Sequence, residues 1–143
     1  MLDLGVARYQ PFRARSYFPM PKSIPQYSVI TMKNDDNRCF EWAIISDIYP
    51  VDHGRHQDRT AEYRNHLGKL NFQGIDFPVK VTDIGRFERQ HINMSFNVFG
   101  WNKGLYPIHI SDASRTNNVD ILLLVSGENQ HYVYIKNLSM SLL

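Results

Sequence analysis

KNDDNRCFEWAII, Lys33 to Ile45, carries the chain's only cysteine, Cys39, between a polar turn and an apolar run. In CFEWAIISDIY the apolar side chains Cys39, Trp42, Ala43, Ile45, Ile48 and Tyr49 recur at intervals of three and four, the spacing of one helix face, and Pro50 stops the run. Asp35, Asp36 and Asn37 stand just ahead of it, where side-chain oxygens cap the free N–H groups of a first turn. The spacing predicts a helix over 39–49 with Cys39 at its start.

The elements on either side set the fold class. Upstream, YSVITM (Tyr27 to Met32) is a short strand rich in β-branched residues. Four of the seven prolines precede residue 26, so residues 1–26 read as an extended arm lying over the domain. Downstream, DRTAEYRNHLGKL (58–70) reads as a helix ending near Gly68, and TDIGRFERQH (82–91) as a shorter one capped by Thr82 or Asp83. From residue 95 the period falls to two. SFNVFGW (95–101), LYPIHIS (105–111), VDILLLVS (119–126) and HYVYI (131–135) read as four strands, the last two joined by a GENQ hairpin loop. Little alternation in ILLLV marks a strand covered on both faces. Helix first and antiparallel sheet after is an α+β order, not a doubly wound one.

Composition bounds the function. At 143 residues the chain is one domain, and 43% hydrophobic with 13% aromatic residues can offset the entropy of folding. A net charge of +2 is short of the basic excess of a nucleic-acid domain, so no nucleic-acid partner is implied. One cysteine excludes an intramolecular disulfide, and no apolar run reaches the roughly 18 residues that span a bilayer. MLDLGVARYQ lacks a secretory pattern, so the expectation is an intracellular protein or an intracellular domain of a longer one.

The helix start gives Cys39 a chemistry. Unpaired N–H donors and the positive end of the helix dipole favour thiolate, the nucleophilic form, and the same donors can hold an oxyanion. His131 opens the last strand and can supply the base. Asn129, two residues earlier on a continuing strand, would share its face about 6–7 Å away and is the first choice to orient the ring. Asn137 is too far along and better caps a final NLSMSLL helix. Asp120 comes opposite Lys136, as a cross-strand ion pair, if Val125 pairs with His131. The plainer alternative makes Cys39 a buried small hydrophobe beside Phe40 and Trp42, and His131 a capping residue. His53, His56 and His66 with Cys39 form a competing zinc set, but structural zinc sites usually take two or more cysteines, so no metal or other cofactor is assigned.

SYFPMPK (16–22), KNDDNRCFEWAI, FPVKVTDIGRFE (77–88), NVFGW (97–101), YPIHIS and HYVYIKNLS together resemble a domain in proteins of eukaryotic mobile elements and virus-derived insertions, over nearly the whole chain. At the chemical positions two peptidase families are similar. Asp36, Cys39 and Phe40 in DDNRCF resemble the Asp-Gly-Asn-Cys block of ovarian-tumour-type deubiquitinases, and HYVYI resembles their His-Tyr. The herpesvirus tegument-type deubiquitinases place an oxyanion-hole glutamine a dozen or so residues before the cysteine, the spacing of Gln26. The chain departs from them in lacking glycine after Asp36 and in carrying Val133 where Asp or Asn is common.

The resemblance implies a papain-like cysteine peptidase fold, with a Cys-bearing helix packed on an antiparallel sheet. It implies Cys39, His131 and Asn129 as catalytic residues, Gln26 at the oxyanion, and ubiquitin or a ubiquitin-like protein as substrate and partner. Trp101 and Tyr106 can supply an apolar patch for the body of such a substrate, or pack in the sheet. The alternatives are a peptidase that processes its own element's polyprotein, and a non-catalytic interaction or nucleic-acid accessory module, for which Arg8, Arg13 and Arg15 are the only support.

Overall fold

The computed structural model describes residues 20–25, 28–32, 36–51, 57–111 and 115–136. Strand β1 (Val29–Ile30) precedes helix α1 (Cys39–Ile48), and a shorter helix α2 (Ile84–Arg89) follows. Strands β2 (Met94–Trp101), β3 (Leu105–His109), β4 (Asn117–Ser126) and β5 (Asn129–Ile135) complete a five-stranded sheet in the order β1-β5-β4-β2-β3. The chain is therefore α+β, with Cys39 the first residue of the longest helix among the described residues. Among the described residues no helix is long and apolar enough to cross a membrane.

Helix α1 is not amphipathic. Every residue from Cys39 to Ser46 is buried, so it is a central helix rather than one with a wet face. Its Phe40, Ala43 and Ile44 pack with Phe87 of α2 and with Phe96, Val119, Ile121 and Tyr132 on one face of the sheet. Leu122, Leu124, Val133 and Ile135 form a second cluster with Ile24, Val29, Phe99 and Leu105. Met20 and Ile24 pack against this second cluster, and residues 22–24 form a turn; of the expected extended arm, 1–19 and Gln26 lie outside the described residues.

The sheet is mixed rather than antiparallel. β2 and β4 run in parallel, with Phe96 level with Val119 and Val98 with Ile121. The chain turns from β2 onto β3 at the sheet edge and crosses back to β2's other side, which makes the next strand run the same way as β2. The expected helix over 58–70 is replaced by two single 3₁₀ turns, Thr60–Glu62 and Arg64–His66. Tyr63 is the one buried side chain in that stretch, so no apolar stripe repays the ordering of a longer helix. The helix expected over 82–91 begins as a 3₁₀ turn at Val81–Asp83 and is α-helical only to Arg89.

The β4–β5 hairpin closes more tightly than a GENQ loop. Ser126 pairs with Asn129 across two turn residues, Gly127 and Glu128, and Gly127 has φ +61°, the left-handed value a type II′ turn needs at its first central position. His131 therefore pairs with Leu124 and not with Val125. Ile121 pairs with Tyr134, so Asp120 has no Lys136 opposite it; its carboxylate instead accepts the Asn97 amide at 3.1 Å. Gly127→Ala is expected to cost about 1–2 kcal/mol, read as a lowered midpoint in denaturant unfolding, because an L side chain is strained at that φ.

Candidate active site

The hairpin register carries Cys39 to the last strand. Counting out from a two-residue turn, Ser126 and Asn129 are a hydrogen-bonded pair, so Leu123 and Tyr132 fall on a non-hydrogen-bonded one. The Tyr132 N–H then points away from β4, toward the outer edge of β5. β1 reaches only as far as Tyr134 and Ile135 there, leaving the edge beside Tyr132 to the start of α1. The Tyr132 N–H donates to Cys39 Sγ at 3.4 Å. The sulfur thus sits against the peptide that joins His131 to Tyr132, ninety-two residues after Cys39 by subtraction (131 − 39).

Strand alternation places the side chains around that edge. Tyr132 projects toward the helices, its ring 5.0 Å from that of Phe40 and its hydroxyl donating to the Val79 carbonyl at 2.8 Å. Gln130 points the same way and donates to the same carbonyl at 3.0 Å. His131, with Val133 and Ile135, leaves from the other face. Had Val125 paired with His131, its ring would share the helix-covered face of Leu123; the one-residue difference in register reverses it. Asn129 lies on the His131 side by alternation but is exposed at the turn, whereas His131 is 0% exposed.

Burial governs the titration of both groups. Cys39 is 1% exposed, and burial pushes its thiol up to about 12. The N–H bonds from Tyr132 and Phe40 pull it down, the Asp36 charge pushes it up, and its own N–H pulls it down. Burial lowers His131 to about 4. In this closed arrangement the proton stays on sulfur, and the pair rests as neutral thiol and neutral imidazole.

A clamp holds the helix start. Asp36 Oδ1 accepts the Arg38 backbone N–H at 3.0 Å, and both its carboxylate oxygens receive the Trp42 indole N–H at 3.2 Å. Arg38 donates through Nε to Glu41 Oε1 at 2.6 Å, with its guanidinium 4.0 Å over the Phe77 ring. Of the three polar residues expected to cap the first turn, Asp36 accepts the N–H of Arg38, the residue just before the helix, and Asp35 is outside the described residues. Asp36→Ala is expected to cost about 1–3 kcal/mol by orphaning buried donors. It should also speed modification of Cys39 by a thiol reagent, measured as the labelling rate of the folded protein.

Other expected groups are not brought here. His66 stacks on Tyr49 at 3.9 Å, past the C-terminal end of α1, so a ten-residue helix of roughly 15 Å separates it from Cys39 and they share no zinc site. His53 and His56 lie outside the described residues, and among the described ones no three His, Cys, Asp or Glu gather as metal ligands. The sequence reading missed the Tyr132 backbone donor. Its signal was the alternation of HYVYI, usable only once the turn length is known.

No family model, no curated protein and no solved structure matches the chain, so its assignment rests on the geometry at Cys39.

Proposed function

We propose that the chain is a papain-like thiol peptidase with Cys39 as nucleophile and His131 as base. The observation that supports it is the hydrogen bond from the Tyr132 N–H to Cys39 Sγ at 3.4 Å, which sets a helix-start thiol beside the residue that bears the imidazole. His131 takes the thiol proton, and the sulfur attacks the scissile carbonyl carbon to form a C–S bond. First-turn N–H groups, which have no carbonyl partner within a helix, hold the oxyanion. His131 then returns the proton to the departing amine as the C–N bond breaks. It next takes a proton from the water whose oxygen bonds the thioester carbon, and returns it to the Cys39 sulfur as the C–S bond breaks and the acid product leaves. Asn129 orients the ring. Ubiquitin or a ubiquitin-like modifier is the substrate class, on the resemblance of the DDNRCF and HYVYI blocks, with an intracellular setting to match.

A second reading is favoured by burial: with Cys39 1% and His131 0% exposed, both can serve as core residues of a non-catalytic module. The two readings separate in one experiment. The protein is incubated with ubiquitin bearing a thiol-reactive C-terminus, alongside its Cys39→Ala form, and each is weighed by mass spectrometry. The expected result is one adduct on the unmutated protein and none on the variant. Failure of the unmutated protein to react sinks the deubiquitinase reading. Cleavage of its own element's precursor in that case supports the polyprotein-processing alternative, and inertness toward both supports the non-catalytic module.

A further inference from the structure

A cleft of about 420 Å³ opens at the end of the sheet, lined by Met20, Trp101, Tyr106, Ile108, Leu123 and Val125 among others. Its volume falls within the range of ligand sites, roughly 300–1,000 Å³. Strand lengths produce it. Phe99 is level with Leu122, so Trp101, the end of β2, is level with Leu124, and Val125 and Ser126 overhang. Beside Trp101, Gly100 has no side chain, and the Tyr106 ring covers it so closely that a Cβ there would collide with the ring. The Trp101 indole is held by its N–H donated to Ser23 Oγ at 3.0 Å.

The cleft is open, and its exposed lining is polar and apolar in about equal parts. Val125 is 64% exposed and Tyr106 39%, although both are large enough to reward burial. Pro107 and the irregularity between Val98 and Phe99 blunt β3 as a template for another strand, so a partner is held here by side chains filling the slot and not by an added strand. None of the lining residues carries a formal charge. The formally charged residues within two positions of the lining, among those described, are Lys22 and Lys103 beside Pro21 and Trp101, and Glu128 beyond Ser126; all three are exposed. Two lysines are thus the charged residues nearest in sequence to the tryptophan end.

We propose that this cleft docks a short peptide segment whose apolar or aromatic side chains are flanked by carboxylates. The side chains fill the slot between Tyr106 and Val125, and the carboxylates meet Lys22 and Lys103. The cleft reaches β4, where Leu123 pairs with Tyr132, so β5 alone separates it from the edge that holds Cys39; the docking does not require Cys39 to be a nucleophile.

The test titrates the isotope-labelled full chain with the acetylated, amidated peptide Asp-Glu-Leu-Phe-Asp-Glu and with its counterpart in which lysine replaces every acid, followed by NMR. The acidic peptide is expected to move the Trp101 indole signal and the amides of Tyr106, Ile108 and Val125, and to bind more weakly as salt is raised. Tyr106→Ala should weaken it about tenfold or more, and the double variant Lys22→Glu, Lys103→Glu should reverse the preference between the peptides. Absence of shifts at about millimolar peptide, or equal affinity for the two peptides, overturns the proposal. So does movement of the same signals with protein concentration alone, which makes a second copy the occupant.

Discussion

On the proposed peptidase reading, His131→Gln is expected to lower the rate at which Cys39 forms an adduct with the ubiquitin probe by about 10²- to 10⁴-fold, the range a positioned general base contributes. The variant keeps a polar side chain of similar volume, so loss of rate can be separated from loss of fold by a second measurement. With His131 lowered by burial to about 4 against an ordinary value of 6.5, the unfolded chain binds a proton that the folded chain refuses as pH falls between those values. Stability is full above about pH 6.5 and declines toward pH 4, by roughly 3 kcal/mol in all at about 1.4 kcal/mol per unit. In His131→Gln that acid-side decline should flatten, seen as denaturant midpoints that change less between pH 7 and 4. A variant that flattens the decline yet reacts at the unmutated rate would remove His131 from the chemistry and leave it a core residue.

Phe40→Ala is expected to cost about 3–5 kcal/mol, a large share of the stability of a domain this size. Phe40 is 1% exposed, and its ring makes edge-on contacts with Phe87 at 5.3 Å and Tyr132 at 5.0 Å, with Phe72 and Phe96 within 6.4 Å. It joins both helices to β5 next to Cys39, so the cavity it leaves is also expected to loosen the Tyr132 N–H from the sulfur. Thermal unfolding gives the cost, and amide hydrogen exchange at Tyr132 gives the loosening. A loss below about 1.5 kcal/mol would mean that the aromatic cluster repacks and does not position the site.

The closed state bears on how such an enzyme would work. A buried thiol pushed up to about 12 and a buried imidazole lowered to about 4 would not yield an ion pair until water or substrate enters. Opening of the helix start would then be a step in the cycle of the proposed enzyme, one that the Asp36 clamp resists. Loss of that clamp therefore raises thiol reactivity while lowering stability, two effects that a passive cap would not couple in opposite directions.

Some of this was legible in the residues. The three-and-four spacing from Cys39 placed α1 within a residue of its observed end, since local apolar periodicity and Pro50 are sufficient to define a buried helix. The strand positions of SFNVFGW and HYVYI were equally clear. The 58–70 helix failed because charged side chains with good helix propensity surround a single buried tyrosine, and propensity without a packing face does not sustain a helix. The parallel pairing of β2 with β4 could not be read, because alternation reports that a strand is covered and not which neighbour covers it.

The site shows the same division. The sequence by itself determined that the only thiol begins a helix, because capping and periodicity act over a few neighbouring residues. It also determined that His131 lies in the last strand. Only the tertiary structure decided that the turn before that strand is two residues long, that His131 pairs with Leu124, and that the Tyr132 N–H meets the sulfur. Those are matters of register and of which strand edge is left open. A one-residue change in register reverses every side chain, so they depend on the packing of the whole sheet.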